Sequence, residues 1–159
     1  MNNYKLEIRW GFIFSVAMLV WLLLERLVGL HGDYIAQHVV WTNLFAIVAI
    51  AIYVLAMRDK REKELNGAMT WKQGFLCGIG ITIVVAILSP LTQWLAHTFV
   101  SPDFFANMVE YAVSSGNMTE TQALNYFSLQ SYMIQAVIAA VVMGVITSAV
   151  VALFVRTKK

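Results

Sequence analysis

Glu25 is the residue with the most chemical potential in the sequence. It stands inside an apolar run from Trp10 to Leu30. A carboxylate within a membrane helix costs about 2.5–3.5 kcal/mol, so by default it marks a function. Arg26, next to it, cannot share its face, because adjacent helical residues point about 100° apart. Arg26 is instead placed to reach lipid phosphates or to form an ion pair elsewhere. Three further polar side chains stand in apolar runs: Asn43, Gln93 and Gln135. Counted inward from the same surface, each lies about four or five residues deep, or about 8 Å at a helical rise of 1.5 Å. Ser89, His97 and Ser131 stand close to that level. A polar layer at one depth implies an outward-facing pocket, with Gln93 and His97 as the expected partners of Glu25.

The three histidines, His31, His38 and His97, all fall toward the same side. With Glu25 and Asp33 they supply ligand types suited to a transition metal. The spacing of His31 and His38 is not that of two ligands on one helical face, so the sequence permits a metal without demanding one. No Cys-x-x-Cys, His-Glu-x-x-His or glycine-rich phosphate loop occurs, and no serine has a recognisable nucleophile setting. The single cysteine, Cys77, stands in an apolar stretch and reads as an inert core thiol. No cofactor is expected, and an enzyme is the less favoured class.

The elements that must position these residues are membrane helices. Of the 159 residues, 60% are hydrophobic and only 13% charged, against about 25% charged in ordinary soluble domains. A soluble domain of this size could not hide so much apolar surface. The composition also excludes a disordered chain, a coiled coil and a nucleic-acid module. Four apolar segments approach the roughly 20 residues that cross a bilayer: 10–30, 39–57, 71–97 and 131–155. The first is too long for a cleaved signal peptide and reads as a retained anchor. Lysine and arginine are one-sided: Lys5 and Arg9; Arg58, Lys60, Arg61, Lys63 and Lys72; Arg156, Lys158 and Lys159. Ten of the eleven basic residues therefore map to one side, with Arg26 the exception. By the positive-inside rule both termini are cytoplasmic. Trp10 and Trp71 would sit at the inner interface, and Trp41 and Trp94 near the outer one.

Between spans three and four, Ser101-Pro102-Asp103 reads as a helix start, giving a helix over 102–115 that Gly116 and Asn117 end. Thr119-Glu120-Thr121-Gln122 reads as a capping box opening a second helix over 119–129. That helix either runs into span four or bends near Ser128–Ser131. Small residues recur about every fourth position in span four (Ala136, Ala140, Gly144, Ser148, Ala152) and span three (Gly74, Gly78, Thr82, Ala86), which specifies close helix contact. The stripes do not say whether they face the same chain or a second copy, and a two-fold homodimer is the default. Pro90 frees the carbonyl of Ala86, which Ser89 or water must satisfy, and makes position 90 a hinge candidate.

Leu24-Glu25 with Gly29-Leu30-His31, Thr42-Asn43-Leu44-Phe45, Trp71-Lys72-Gln73-Gly74-Phe75, Ser89-Pro90-Leu91 and Pro102-Asp103-Phe104-Phe105 follow one another in an order that resembles the bacterial membrane family named domain of unknown function 4199. The resemblance covers essentially the whole chain. It implies a small multi-span protein of the cytoplasmic membrane of Gram-negative bacteria, and it carries over no catalytic residue.

The sequence thus predicts a single all-α integral membrane domain over 1–159. Its architecture is a four-transmembrane-helix bundle with cytoplasmic termini and short amphipathic extracytoplasmic helices between spans three and four. Its expected partners are the lipid bilayer, a second copy of itself and another membrane protein. The favoured function is structural or accessory, or ligand binding through a pocket of Glu25, Asn43, Ser89, Gln93, His97 and Gln135. The first alternative is a small transporter or proton pathway using Glu25. The second is a membrane enzyme with a metal at the outer face.

Overall fold

The computed structural model describes residues 4–157; Lys158 and Lys159, counted above among the basic residues, lie outside that range. Helix dominates, at 82%, and no strand occurs among the described residues. Four helices are long and apolar enough to cross a membrane. They are α1 (Lys5–Leu27), a pair α2 (His38–Asn43) and α3 (Phe45–Glu64) interrupted at Leu44, α4 (Trp71–Leu95), and, after two short helices, α7 (Leu129–Val155). The short helices are α5 (Phe104–Ser114) and α6 (Glu120–Tyr126).

Local sequence explains most of the boundaries. Helix α1 stops because Gly29 adopts a left-handed backbone, φ +83°. Its amide donates to the Arg26 carbonyl, and the Leu30 amide donates to the Glu25 carbonyl at 2.9 Å. This is a Schellman stop, and it folds the chain back on itself. Thr70 and Gln73 form a capping box at the start of α4, and Thr119 and Gln122 form another at α6. Helix α4 continues through Pro90, and Ser89 Oγ donates to the freed carbonyl of Ala86 at 3.0 Å. It ends in a π-helical turn, Ala96–Val100, that carries His97. Residues 127 and 128 separate α6 from α7, and Ser128 caps the latter by accepting from the Ser131 amide. The helix expected at 102 begins instead at Phe104, because Ser101 is drawn into a different hydrogen bond and caps nothing.

The α4–α7 pair makes the most extensive contact. The two small-residue stripes meet each other within the chain: Gly78 faces Ser148, Gly144 faces Thr82, and Gly74 faces Ala152. Tyr53 from α3 reaches Thr82 at 2.8 Å. Around these contacts Met57, Ile81, Val85 and Val151 form one buried cluster. The end bearing the termini is tied by polar bonds. Lys60 meets Glu7 at 2.8 Å, Trp10 donates to Asp59 at 3.1 Å, and Arg61 donates to the Val155 carbonyl at 3.1 Å. A second, smaller core of Phe104, Met108, Ala112, Ala123 and Phe127 joins α5 and α6 at the opposite, distal end.

Candidate functional site

Most of the polar residues singled out by the sequence fall into two places at the distal half of the molecule. The first is a fully enclosed cluster around Glu25. The Schellman stop turns the chain so that His31 returns over the last turn of α1, and the short helix α2 begins with His38 beside it. Glu25, His31 and His38 are only 3%, 5% and 8% exposed, so all three are effectively withdrawn from solvent. His31 Nε2 lies 3.3 Å and His38 Nδ1 lies 3.8 Å from Glu25 Oε2. The other carboxylate oxygen, Oε1, accepts from Trp21 Nε1 at 2.7 Å, one helical turn earlier. His31 Nδ1 is 2.8 Å from Ser101 Oγ, and the His31 carbonyl accepts from Asn107 Nδ2 at 2.8 Å. His38 Nδ1 is buried and has no hydrogen-bond partner.

The ring of Phe104 lies against all three histidines, with centroids 4.9, 5.1 and 4.8 Å from His31, His38 and His97. His97 itself does not join the ligating atoms around Glu25. Its Nε2 meets Gln93 Oε1 at 3.0 Å, one turn back on α4, and its Nδ1 is buried without a partner. The expected pairing of Glu25 with Gln93 and His97 is therefore replaced by two local pairings. Gln93 and His97 satisfy each other four residues apart, and Glu25 takes the partners that the turn returns to it. Arg26 and Asp33 are exposed and stand outside the cluster.

The second place is a cavity of about 360 Å³ between α1, α3, α4 and α7. Asn43, Ser89 and Gln93 line it toward the distal end, together with Thr42 and Thr92. Below them the walls are mostly apolar, with Phe14, Met18, Phe45, Ile50, Val85, Ala136, Ala140 and Met143, and the hydroxyl residues Ser15, Tyr53 and Thr147 stand among them. Glu25, His97 and Gln135 are not among its lining residues. Gln135 bonds instead to Ser131 Oγ at 2.8 Å along α7.

A family model described as Protein of unknown function (DUF4199) matches residues 9–157. The chain belongs to that family. No curated protein and no solved structure matches it.

Three features of this DUF4199 chain escaped the sequence. Trp21 was not singled out, and Ser101 was read only as a helix start, although both bond to the Glu25 cluster. Trp21 stands four residues before Glu25, a spacing that puts both on one helical face, and that signal was present. Ser101 had no such signal, because its contact with His31 spans 70 residues. Glu7 was also missed. It is only 4% exposed and pairs with Lys60, so the half of the molecule nearest the termini also holds a buried charge.

Proposed function

We propose that this protein is a multi-pass protein of the cytoplasmic membrane of a Gram-negative bacterium, with cytoplasmic termini, that binds a single-chain amphiphile between its spans. The reading is carried by the cavity of about 360 Å³, whose walls are mostly apolar and whose side-chain amides, Asn43 and Gln93, both lie at the distal end. Such a volume falls in the range of about 300–1,000 Å³ typical of small-molecule sites, where a few polar groups fix orientation. The wall residues Ile50 and Met143 are also exposed, which supports entry from the bilayer. The headgroup would meet Asn43 and Gln93, and the chain would run along α3 and α4 toward Tyr53. From Asn43 to Tyr53 is ten residues, or about 15 Å of helix. The ten basic residues on the side of the termini support the orientation.

The test is native mass spectrometry of the detergent-purified protein titrated with a lysophospholipid. One bound molecule per chain is expected. Ala136→Phe, which fills the cavity, should abolish the adduct, and Gln93→Leu should weaken it roughly tenfold, the loss of one to two polar contacts. Undiminished binding by Ala136→Phe would refute the assignment.

A further inference from the structure

We propose that Glu25, His31 and His38 form a binding site for a divalent transition metal of the zinc class. The site is distinct from the cavity and does not depend on the amphiphile reading.

Geometry is the first argument. Glu25, His31 and His38 each offer one ligand atom, and the three atoms all lie within 4.8 Å of one another. Zinc takes histidine nitrogen at about 2.0–2.1 Å and carboxylate oxygen at about 2.0–2.2 Å in tetrahedral array, which sets neighbouring ligand atoms about 3.4 Å apart. The measured separations from Glu25 Oε2, 3.3 and 3.8 Å, bracket that edge. A cation at the centre of the triangle reaches all three atoms with side-chain adjustments of a few tenths of an ångström.

The second argument is an unsatisfied atom. His38 Nδ1 is buried, faces the carboxylate and makes no hydrogen bond. Buried polar atoms without partners are uncommon and call for an explanation, an ion among them. A metal gives this nitrogen its bond and gives the buried carboxylate its counter-charge. The nearest arginine in sequence, Arg26, is exposed on another face of α1 and supplies no such charge.

The third argument is the support around the ligands. Metal-binding histidines nearly always engage their second ring nitrogen, and metal-binding carboxylates are themselves hydrogen-bonded. Here Ser101 Oγ lies 2.8 Å from His31 Nδ1, and with the ring proton on Nδ1 the Nε2 lone pair is directed toward Glu25 Oε2, 3.3 Å away. Trp21 holds Glu25 Oε1 at 2.7 Å, which leaves Oε2 for the metal. Phe104 closes the apolar side of both imidazoles. The donor set, two nitrogens and one oxygen, suits zinc or cobalt(II) over magnesium or calcium, which prefer oxygen alone. Three protein ligands leave a fourth position for water or an added ligand.

The full-length protein in detergent, stripped with chelator, is dialysed against zinc and then against metal-free buffer, and its metal content is measured. One zinc per chain is expected, with cobalt(II) substitution giving the intense visible absorption of a four-coordinate site. His38→Ala should lose the metal, and Ser101→Ala should weaken binding about 10-fold or more. His97→Ala and the cavity variant Ala136→Phe should each retain one equivalent. Because His38→Ala could misfold, zinc-dependent thermal stabilisation is read in parallel. The wild type should gain stability with added zinc, and a folded His38→Ala should gain none. Less than a tenth of an equivalent in the wild type overturns the proposal. So does a folded His38→Ala that keeps either the metal or the zinc-dependent shift, which would leave Glu25 and the histidines as a hydrogen-bonded ion pair only.

Discussion

At the scale of single residues, the distal cluster depends on one backbone conformation. Gly29 holds φ +83°, and a Cβ there would meet the Tyr34 ring at 3.0 Å. Gly32, three residues on, has nothing within 4 Å of a Cβ and no positive φ. Gly29→Ala should therefore lower stability by about 1–2 kcal/mol, the cost of a left-handed non-glycine residue. It should also displace His31. Gly32→Ala should change stability by less than about 0.5 kcal/mol. Thermal melts of the two variants in the same detergent make the comparison. Glu25 was legible as an exception in an apolar helix, and so was the Ser89 hydroxyl that repairs the Ala86 carbonyl beside Pro90. The companions of Glu25 were not. His31 and His38 lie on a turn and at the start of a short helix, where no periodicity links them to α1, and only the reversal at Gly29 brings them back. Ser101 looked like a cap because serine before Pro-Asp usually is one, but a tertiary hydrogen bond to imidazole outcompeted that local role.

At the scale of elements, the four apolar segments and the Thr119 boundary could be read from pattern and capping chemistry, because those signals are local, whereas the break at Ser128 was left as one of two alternatives. The pairing of the stripes could not, since a small residue every fourth position fits any close neighbour. The structure spends these stripes on α4 against α7, where Gly144 receives the side chain of Thr82. Gly144→Leu should force the two helices apart and destabilise the protein by about 1–3 kcal/mol, as overpacking does. The loss should appear as a lowered unfolding midpoint in detergent. It should also disturb the hydrogen bond between Thr82 and Tyr53, because Thr82 packs on Gly144 while its hydroxyl bonds to α3. An unchanged midpoint would show that the α4–α7 contact is looser than the geometry implies.

At the scale of the whole molecule, the asymmetry of the two ends is its main feature. Ion pairs among Glu7, Lys60, Glu64, Asp59 and Lys63 gather at the end of the termini. Histidines, aromatic rings and amides gather at the other. The proposed orientation predicts a simple labelling pattern. In a Cys77→Ala background, a cysteine at Asn117 should react with an impermeant maleimide in cells whose outer membrane is permeabilised. A cysteine at Glu62 should react only after the inner membrane is opened. The reverse pattern would invert the topology and place the histidine cluster against the cytoplasm.

The contact between His31 and the segment 101–107 also imposes a timetable. When α1 enters the bilayer, Glu25 has Trp21 and, soon after, His31 and His38, but Ser101 and Asn107 lie 70 and 76 residues beyond His31. At about 5–20 residues per second, that is a delay of roughly 4–15 s. Throughout it Glu25 has only Trp21 and the two histidines, and His31 waits for the partners that fix it. The distal cluster is therefore a late-closing clasp: the translating chain threads three spans before the first one acquires its lid.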